Sequence, residues 1–140
     1  MTIIADTGAL YACYDRSDAH HAATKDYLGG LNERLSVPAL VLAELDHLVS
    51  ARLGETARAS VIEDVLTTAS VIPFNQDVAV RAARVAGSYG GFPLGLTDAT
   101  LVVHAQDHRT LHLFTVDQRH FRSIAPLWGG ASFRLLPFDE

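Results

Sequence analysis

Five short apolar runs, separated by segments of helical periodicity, constrain this 140-residue chain more than any other feature. They lie at residues 2–6, 33–37, 70–74, 111–116 and 133–136. Runs this short suit strands buried on both faces. Between them, residues 8–15, 17–28, 38–53, 55–68, 76–88 and 97–107 read as helices, with Ala57, Val61, Val65 and Leu66 at typical helical spacing. Gly29-Gly30, Gly54 and the stretch Gly90-Gly91-Phe92-Pro93-Leu94-Gly95 punctuate the pattern. Pro38 suits a first helical residue, and Thr97 or Asp98 suits the cap of the 97–107 helix. Strands alternating with helices predict a three-layer α/β/α fold with a mainly parallel five-stranded sheet. No repeat, low-complexity stretch or linker interrupts it, so residues 1–140 are expected to form one domain.

Two of these runs end on an acid: Ile3-Ile4-Ala5-Asp6 and Phe114-Thr115-Val116-Asp117. In an open parallel sheet, ligands bind beyond the carboxyl ends of the strands, where the strand order reverses. Asp98, at a helix start in Leu96-Thr97-Asp98-Ala99, falls on the same side. Glu44, in Leu42-Ala43-Glu44-Leu45, has Leu40, Val41 and Leu48 one turn away and is expected to point along an apolar stripe into the protein. Each acid also has an ordinary reading. Asp6, Asp98 and Asp117 suit helix caps or turns, and Glu44 can reach the surface. The remaining acids, among them Asp15, Asp18, Asp26, Asp46, Glu55, Glu63, Asp64, Asp77 and Asp107, are expected to be solvated.

An acid in an apolar setting is unfavourable unless it is paired, protonated or bound to a metal. Four together, without a cation built into the same motifs, point to a divalent ion. Mg²⁺ and Mn²⁺ are hard cations that take oxygen ligands and retain several waters. Such an ion favours the ionised carboxylates, lowers the pKa of its water and stabilises charge on an attacked phosphate. Asp6 and Asp98 are expected as direct ligands, with Glu44 and Asp117 acting through water or holding a second ion.

A net charge of −5 runs against the basic surface usual for a nucleic-acid partner, but acids gathered around metal ions account for part of it. Ten of the eleven cationic residues are arginine, which suits bidentate phosphate contacts. The content, 49% hydrophobic and 19% charged, is that of a globular protein. No run approaches the ~20 apolar residues of a membrane helix. A single cysteine, Cys13, rules out an intrachain disulfide. With no signal-peptide pattern, a cytoplasmic location is expected.

The four acidic segments, in this order, resemble the motifs of PIN-domain ribonucleases. The length and the run Asp117-Gln118-Arg119-His120-Phe121 resemble the VapC toxins of prokaryotic VapBC toxin–antitoxin pairs. The resemblance spans essentially the whole chain. It implies a Mg²⁺- or Mn²⁺-dependent endoribonuclease, a homodimer and inhibition by a small VapB-type antitoxin. It assigns the family's acids to Asp6, Glu44, Asp98 and Asp117, and a supporting hydroxyl to Thr115. A housekeeping RNA-processing role fits the same motifs.

The histidines lack a His-Glu-x-x-His or Cys/His zinc pattern. His104 and His108, one helical turn apart, are expected at the surface. His120, Arg119 and Arg122 follow Asp117 closely enough to contact RNA phosphate, with Arg81 and Arg84 as weaker candidates. Two rival enzyme classes fit poorly. Ala5-Asp6-Thr7-Gly8-Ala9 carries the Asp-Thr-Gly signature of aspartic proteases, but those need two such aspartates on a mostly β scaffold. A phosphotransfer receiver domain would need paired acids after its first strand and a late lysine, whereas the only lysine is Lys25. A non-catalytic interaction module is the remaining alternative.

Overall fold

The computed structural model describes all residues, 1–140. Its core is a five-stranded sheet of order β3-β2-β1-β4-β5, built from β1 (Ile4–Ala5), β2 (Ser36–Pro38), β3 (Ser70–Ile72), β4 (His112–Phe114) and β5 (Arg134–Leu136). Every neighbouring pair is parallel, so the sheet is wholly parallel rather than mainly so. The ladders register Ile4 with Ser36 on one side and with Leu113 on the other.

The strands are shorter than their apolar runs: only two or three residues of each strand pair in the ladder. Residues beyond the ladder turn to start helices. Thus α1 (Thr7–Tyr14) begins directly after Asp6, and α3 (Ala39–Leu53) begins directly after Pro38. Pro38 ends β2 and caps α3, one position earlier than its expected place inside the helix. The second helix, α2 (His21–Gly29), starts four residues later than residue 17 because Asp15 and Asp18 hold turns, accepting from Ser17 and His20. Helices α4 (Glu55–Thr68), α5 (Gln76–Gly87) and α6 (Leu96–Asp107) lie where the periodicity predicts. A one-turn α7 (Gln118–Phe121) completes the set.

The chain winds outward from β1 through β2 to β3, then returns to place β4 on the other side of β1. Strand order therefore reverses between β1 and β4, and this is where a ligand crevice opens in such sheets. Packing holds it in place: a cluster of 31 buried apolar residues includes Ile4 of β1, Leu113 and Phe114 of β4, and Ile3 just before β1. Gly8 allows α1 to approach the end of β4, where a Cβ would meet Val116 Cγ2 at 3.1 Å.

Helix α6 corrects one expectation. Ala99 to Ala105 are all buried, His104 among them at 1% exposure, while His108 at the helix end is exposed. Helix α6 packs against α5 and the central strands rather than offering one face to water. Burial, then the charge of His108, pushes the His104 pKa down to about 4, with Asp107 opposing and Arg81 adding to the shift. Its Nε2 has no hydrogen-bond partner. No helix is long and apolar enough to cross a membrane.

Candidate active site

Asp6 leaves the end of β1 at the switch point and is 7% exposed. Both carboxylate oxygens are held: Oδ1 accepts from the Thr7 amide at 2.8 Å and Oδ2 from the Thr115 hydroxyl at 2.9 Å. The Thr115 oxygen in turn accepts from the Asp117 amide at 3.0 Å. One hydroxyl therefore fixes the end of β4 against the end of β1. Asp6 also caps α1, as its ordinary reading expects, and the cap leaves the carboxylate at the switch point.

Asp117 likewise caps α7, its Oδ1 accepting from the His120 amide at 3.0 Å. Its Oδ2 lies 2.8 Å from His120 Nδ1. Asp98 is not the cap of α6; Gly95 takes that place, and Asp98 sits in the first turn. Freed from capping, the Asp98 carboxylate accepts no hydrogen bond from the protein. His120 Nδ1 stands 3.9 Å from its Oδ2. Ligand atoms of Asp98, Asp117 and His120 all lie within 4.8 Å of one another, the spacing of a metal site.

Glu44 departs from expectation in one respect. The buried stripe of α3 is Val41, Leu45 and Val49, and Glu44 stands on its exposed flank rather than pointing inward. Two threonines nevertheless hold it at the site. Thr7 Oγ1 donates to Oε1 at 2.8 Å and Thr97 Oγ1 donates to Oε2 at 2.8 Å. Thr7 and Thr97 adjoin Asp6 and Asp98 in sequence, so the clamp brings Glu44 to the site, where its charge acts on Asp98. Neither threonine was singled out for this role in the sequence. Their only signal was a hydroxyl directly adjoining each of two motif acids.

The electrostatics follow from this crowding. Burial, then the charge of Asp98, raises the Asp6 pKa to about 7, against the pull of the Thr115 and Thr7 hydrogen bonds. Burial, then the charge of Asp117, raises Asp98 to about 6; His120 opposes this and Glu44 adds to it. No arginine or lysine forms an ion pair with any of the four acids. The donor set, carboxylate oxygens with one imidazole, suits a hard divalent cation, whose charge would reverse the proton uptake that crowding causes.

The flanking cations divide. Arg122 is committed to Gln118 and Asp139, and Arg81 to Asp77 and Asp107, which weakens both as contacts for RNA. The Arg119 side chain is exposed and makes no hydrogen bond or ion pair.

A profile of the PIN domain matches residues 3–126. The chain belongs to the PIN-domain family. This PIN-domain chain is 34% identical over 136 residues to ribonuclease VapC26 of Mycobacterium tuberculosis, a match covering 96% of this chain and 100% of that one. Its fold is that of VapC20 from Mycobacterium tuberculosis, described as a sarcin-ricin loop cleaving toxin, with a TM-score of 0.79 and 20% identity over 84% of this chain and 92% of that one. A toxin–antitoxin complex from Klebsiella pneumoniae shares the fold at a TM-score of 0.66 and 24% identity, over 88% and 92% of the two chains. The wholly parallel sheet also removes the aspartic-protease reading of Asp6-Thr7-Gly8, which requires a mostly β scaffold.

Proposed function

We propose that this chain, folded as one domain over residues 1–140, is a metal-dependent endoribonuclease and the toxin of a toxin–antitoxin pair. The observation that carries the reading is the cluster of Asp98, Asp117 and His120, with Asp6 near enough to feel the charges of Asp98 and Asp117, Glu44 clamped nearby and no arginine or lysine to neutralise the acids. The full-length match to a ribonuclease supports RNA as substrate. The likeness to toxin–antitoxin structures is consistent with an antitoxin partner. A homodimer and a VapB-type antitoxin remain implications of the family resemblance.

Asp6 and Asp98 would hold Mg²⁺ or Mn²⁺ directly, with Glu44 and Asp117 around them. When bound, such an ion supplies an activated water and charge stabilisation for phosphodiester cleavage. The protein's own part is orientation. Thr7 and Thr115 fix the two oxygens of Asp6, and the threonine clamp fixes Glu44, so that little rearrangement accompanies binding. His120 holds the Asp117 carboxylate near Asp98, and Arg119 is free to meet a phosphate. An antitoxin segment bearing arginine or apolar side chains would silence the site by supplying the missing cation or covering the acids.

The test is cleavage of structured RNA by the purified chain. Cuts at few sites are expected with Mg²⁺ or Mn²⁺ and none with a chelator. Cleavage that persists undiminished in chelator would reject the metal mechanism.

A further inference from the structure

The loop joining α5 to α6 packs beside α7 and leaves a recess of about 240 Å³ lined by Phe92, Pro93, Arg119, His120 and Ser123. His120 belongs to both this recess and the acid cluster. Its Nδ1 meets Asp117 at 2.8 Å, while its ring stacks on Phe92 with centroids 5.5 Å apart and planes 11° apart. Phe92 also contacts Tyr89, 5.5 Å away and tilted 55°. Tyr89 is anchored in turn, its hydroxyl accepting from the Ala125 amide at 3.1 Å. The wall is thus a row of rings tied at both ends.

We propose that this recess is a subsite for one unpaired nucleotide adjoining the scissile phosphate, its base against Phe92 and Pro93 and its phosphate at Arg119. The inference rests on the nuclease reading above. Three features favour a nucleotide. His120 lines the recess and also contacts Asp117, so an occupant lies one side chain away from the acid cluster. Its volume is below the roughly 300–1,000 Å³ of sites that enclose whole drug-sized ligands, which suits a single base. Ring and proline surfaces accept any base through its π-face, while an arginine with no partner in the chain offers a planar fork for phosphate. A base can enter such a recess only when it is out of the helical stack, so cleavage belongs in loops and bulges rather than in duplex RNA.

The experiment uses the full chain and an RNA hairpin containing a mapped cut, in intact form and with an abasic nucleotide flanking the cut. Phe92→Ala should raise KM by roughly tenfold with kcat changed less than about twofold. The abasic hairpin should show the same defect with wild type and no additional one with Phe92→Ala, because both remove one stacking contact. Arg119→Gln should weaken all substrates alike and reduce the salt dependence of binding by about one phosphate contact. If Phe92→Ala folds poorly, Phe92→Leu, which keeps bulk but loses the ring, replaces it. Unchanged KM, or an abasic penalty that persists in full in the variant, would overturn the subsite. So would a loss confined to kcat and equal on both RNAs, which would assign Phe92 to holding His120 alone. A wild type that cuts no RNA would reject the nuclease reading instead. Fluorescence anisotropy with an unstructured RNA oligonucleotide and its wholly abasic counterpart would then decide the subsite, which requires weaker binding by Phe92→Ala on the base-bearing RNA only.

Discussion

Acids at the switch point and acids on the outer helices meet opposite fates. On the outside, Arg58 pairs with Asp46 at 3.1 Å and with Glu55, Arg81 with Asp77 at 3.0 Å and Asp107 at 2.7 Å, and Arg122 with Asp139 at 2.8 Å. Those arginines hold the Asp107 and Asp139 carboxyls below the usual aspartate range. At the switch point, hydroxyls, amides and one imidazole do the holding, and Asp6 and Asp98 are pushed up to about 7 and about 6. A hydroxyl or an amide orients a carboxylate without cancelling its charge. An arginine does both and closes the group to an ion. Lack of an arginine is not enough, since Asp15 too has hydroxyl and amide donors and its pKa is lowered; burial among other acids is what sets Asp6 and Asp98 apart.

The largest effect expected from this contrast is on catalysis. Asp6→Asn keeps the size of the side chain but removes a charge, and should lower RNA cleavage by at least roughly 100-fold at saturating Mg²⁺. Circular dichroism and soluble yield should match wild type. Expressed without an antitoxin, wild type should arrest growth and Asp6→Asn should not. Wild-type cleavage by the variant would erase the distinction between the two groups of acids.

Stability of the metal-free protein should separate the groups next. Asp6 has a folded pKa of about 7, above its ordinary value of 3.8, so the folded state binds more protons through this window. Its contribution is fully present below about pH 4 and is lost as pH rises through 7. Asp98 acts in the same sense, up to about pH 6. His104, lowered from 6.5 to about 4, acts in the opposite sense, costing stability as pH falls through that window. The clean measurement is therefore the difference between Asp6→Asn and wild type in chelator, by urea unfolding at a series of pH values. The variant should gain on wild type steadily between pH 4 and 7, and added Mg²⁺ should shrink or reverse the gain. A flat difference would mean that burial and neighbouring acids do not raise the Asp6 pKa.

Smaller still is the effect of Thr115→Val. The valine keeps the shape but leaves the Asp117 amide and one Asp6 oxygen without their shared partner. A cost of about 1–3 kcal/mol in stability and a loss of about 10–100-fold in metal affinity, read by calorimetric titration, are expected. Unchanged affinity would reduce Thr115 to a structural hydroxyl.

Most of this architecture was legible in the residues. Apolar runs gave the strands and their order of appearance, and two acids at run ends located the crevice. Spatial strand order was not written there, since nothing in the runs says that β4 returns beside β1. Two of the errors share one physical cause: burial around a helix depends on its neighbours, and periodicity alone does not contain them. Helix α6 is buried through Ala99–Ala105 by its partners, which hid His104, while Glu44 lies off the stripe of Val41, Leu45 and Val49. Threonine clamps and the Phe92–His120 stack join residues far apart in sequence and could not be read locally.

The smallest effect belongs to the outer acids and is the control for the rest. Asp107→Asn breaks the bidentate contact with Arg81, in which the guanidinium donates to both carboxylate oxygens at 2.8 and 2.7 Å. The Asp107 side chain is 38% exposed, so solvent screens the pair. Arg81 also keeps Asp77 at 3.0 Å. The expected loss is below about 1 kcal/mol, shrinking further in high salt. RNA cleavage should be unchanged, because Asp107 ends α6 and Asp98 begins it, at opposite ends of the same helix. Asp107→Asn and Asp98→Asn remove the same charge from the same helix, so comparing them isolates position from charge. If both variants lost cleavage equally at matched stability, net charge rather than a switch-point metal site would govern activity, and the assignment of the four acids would fall.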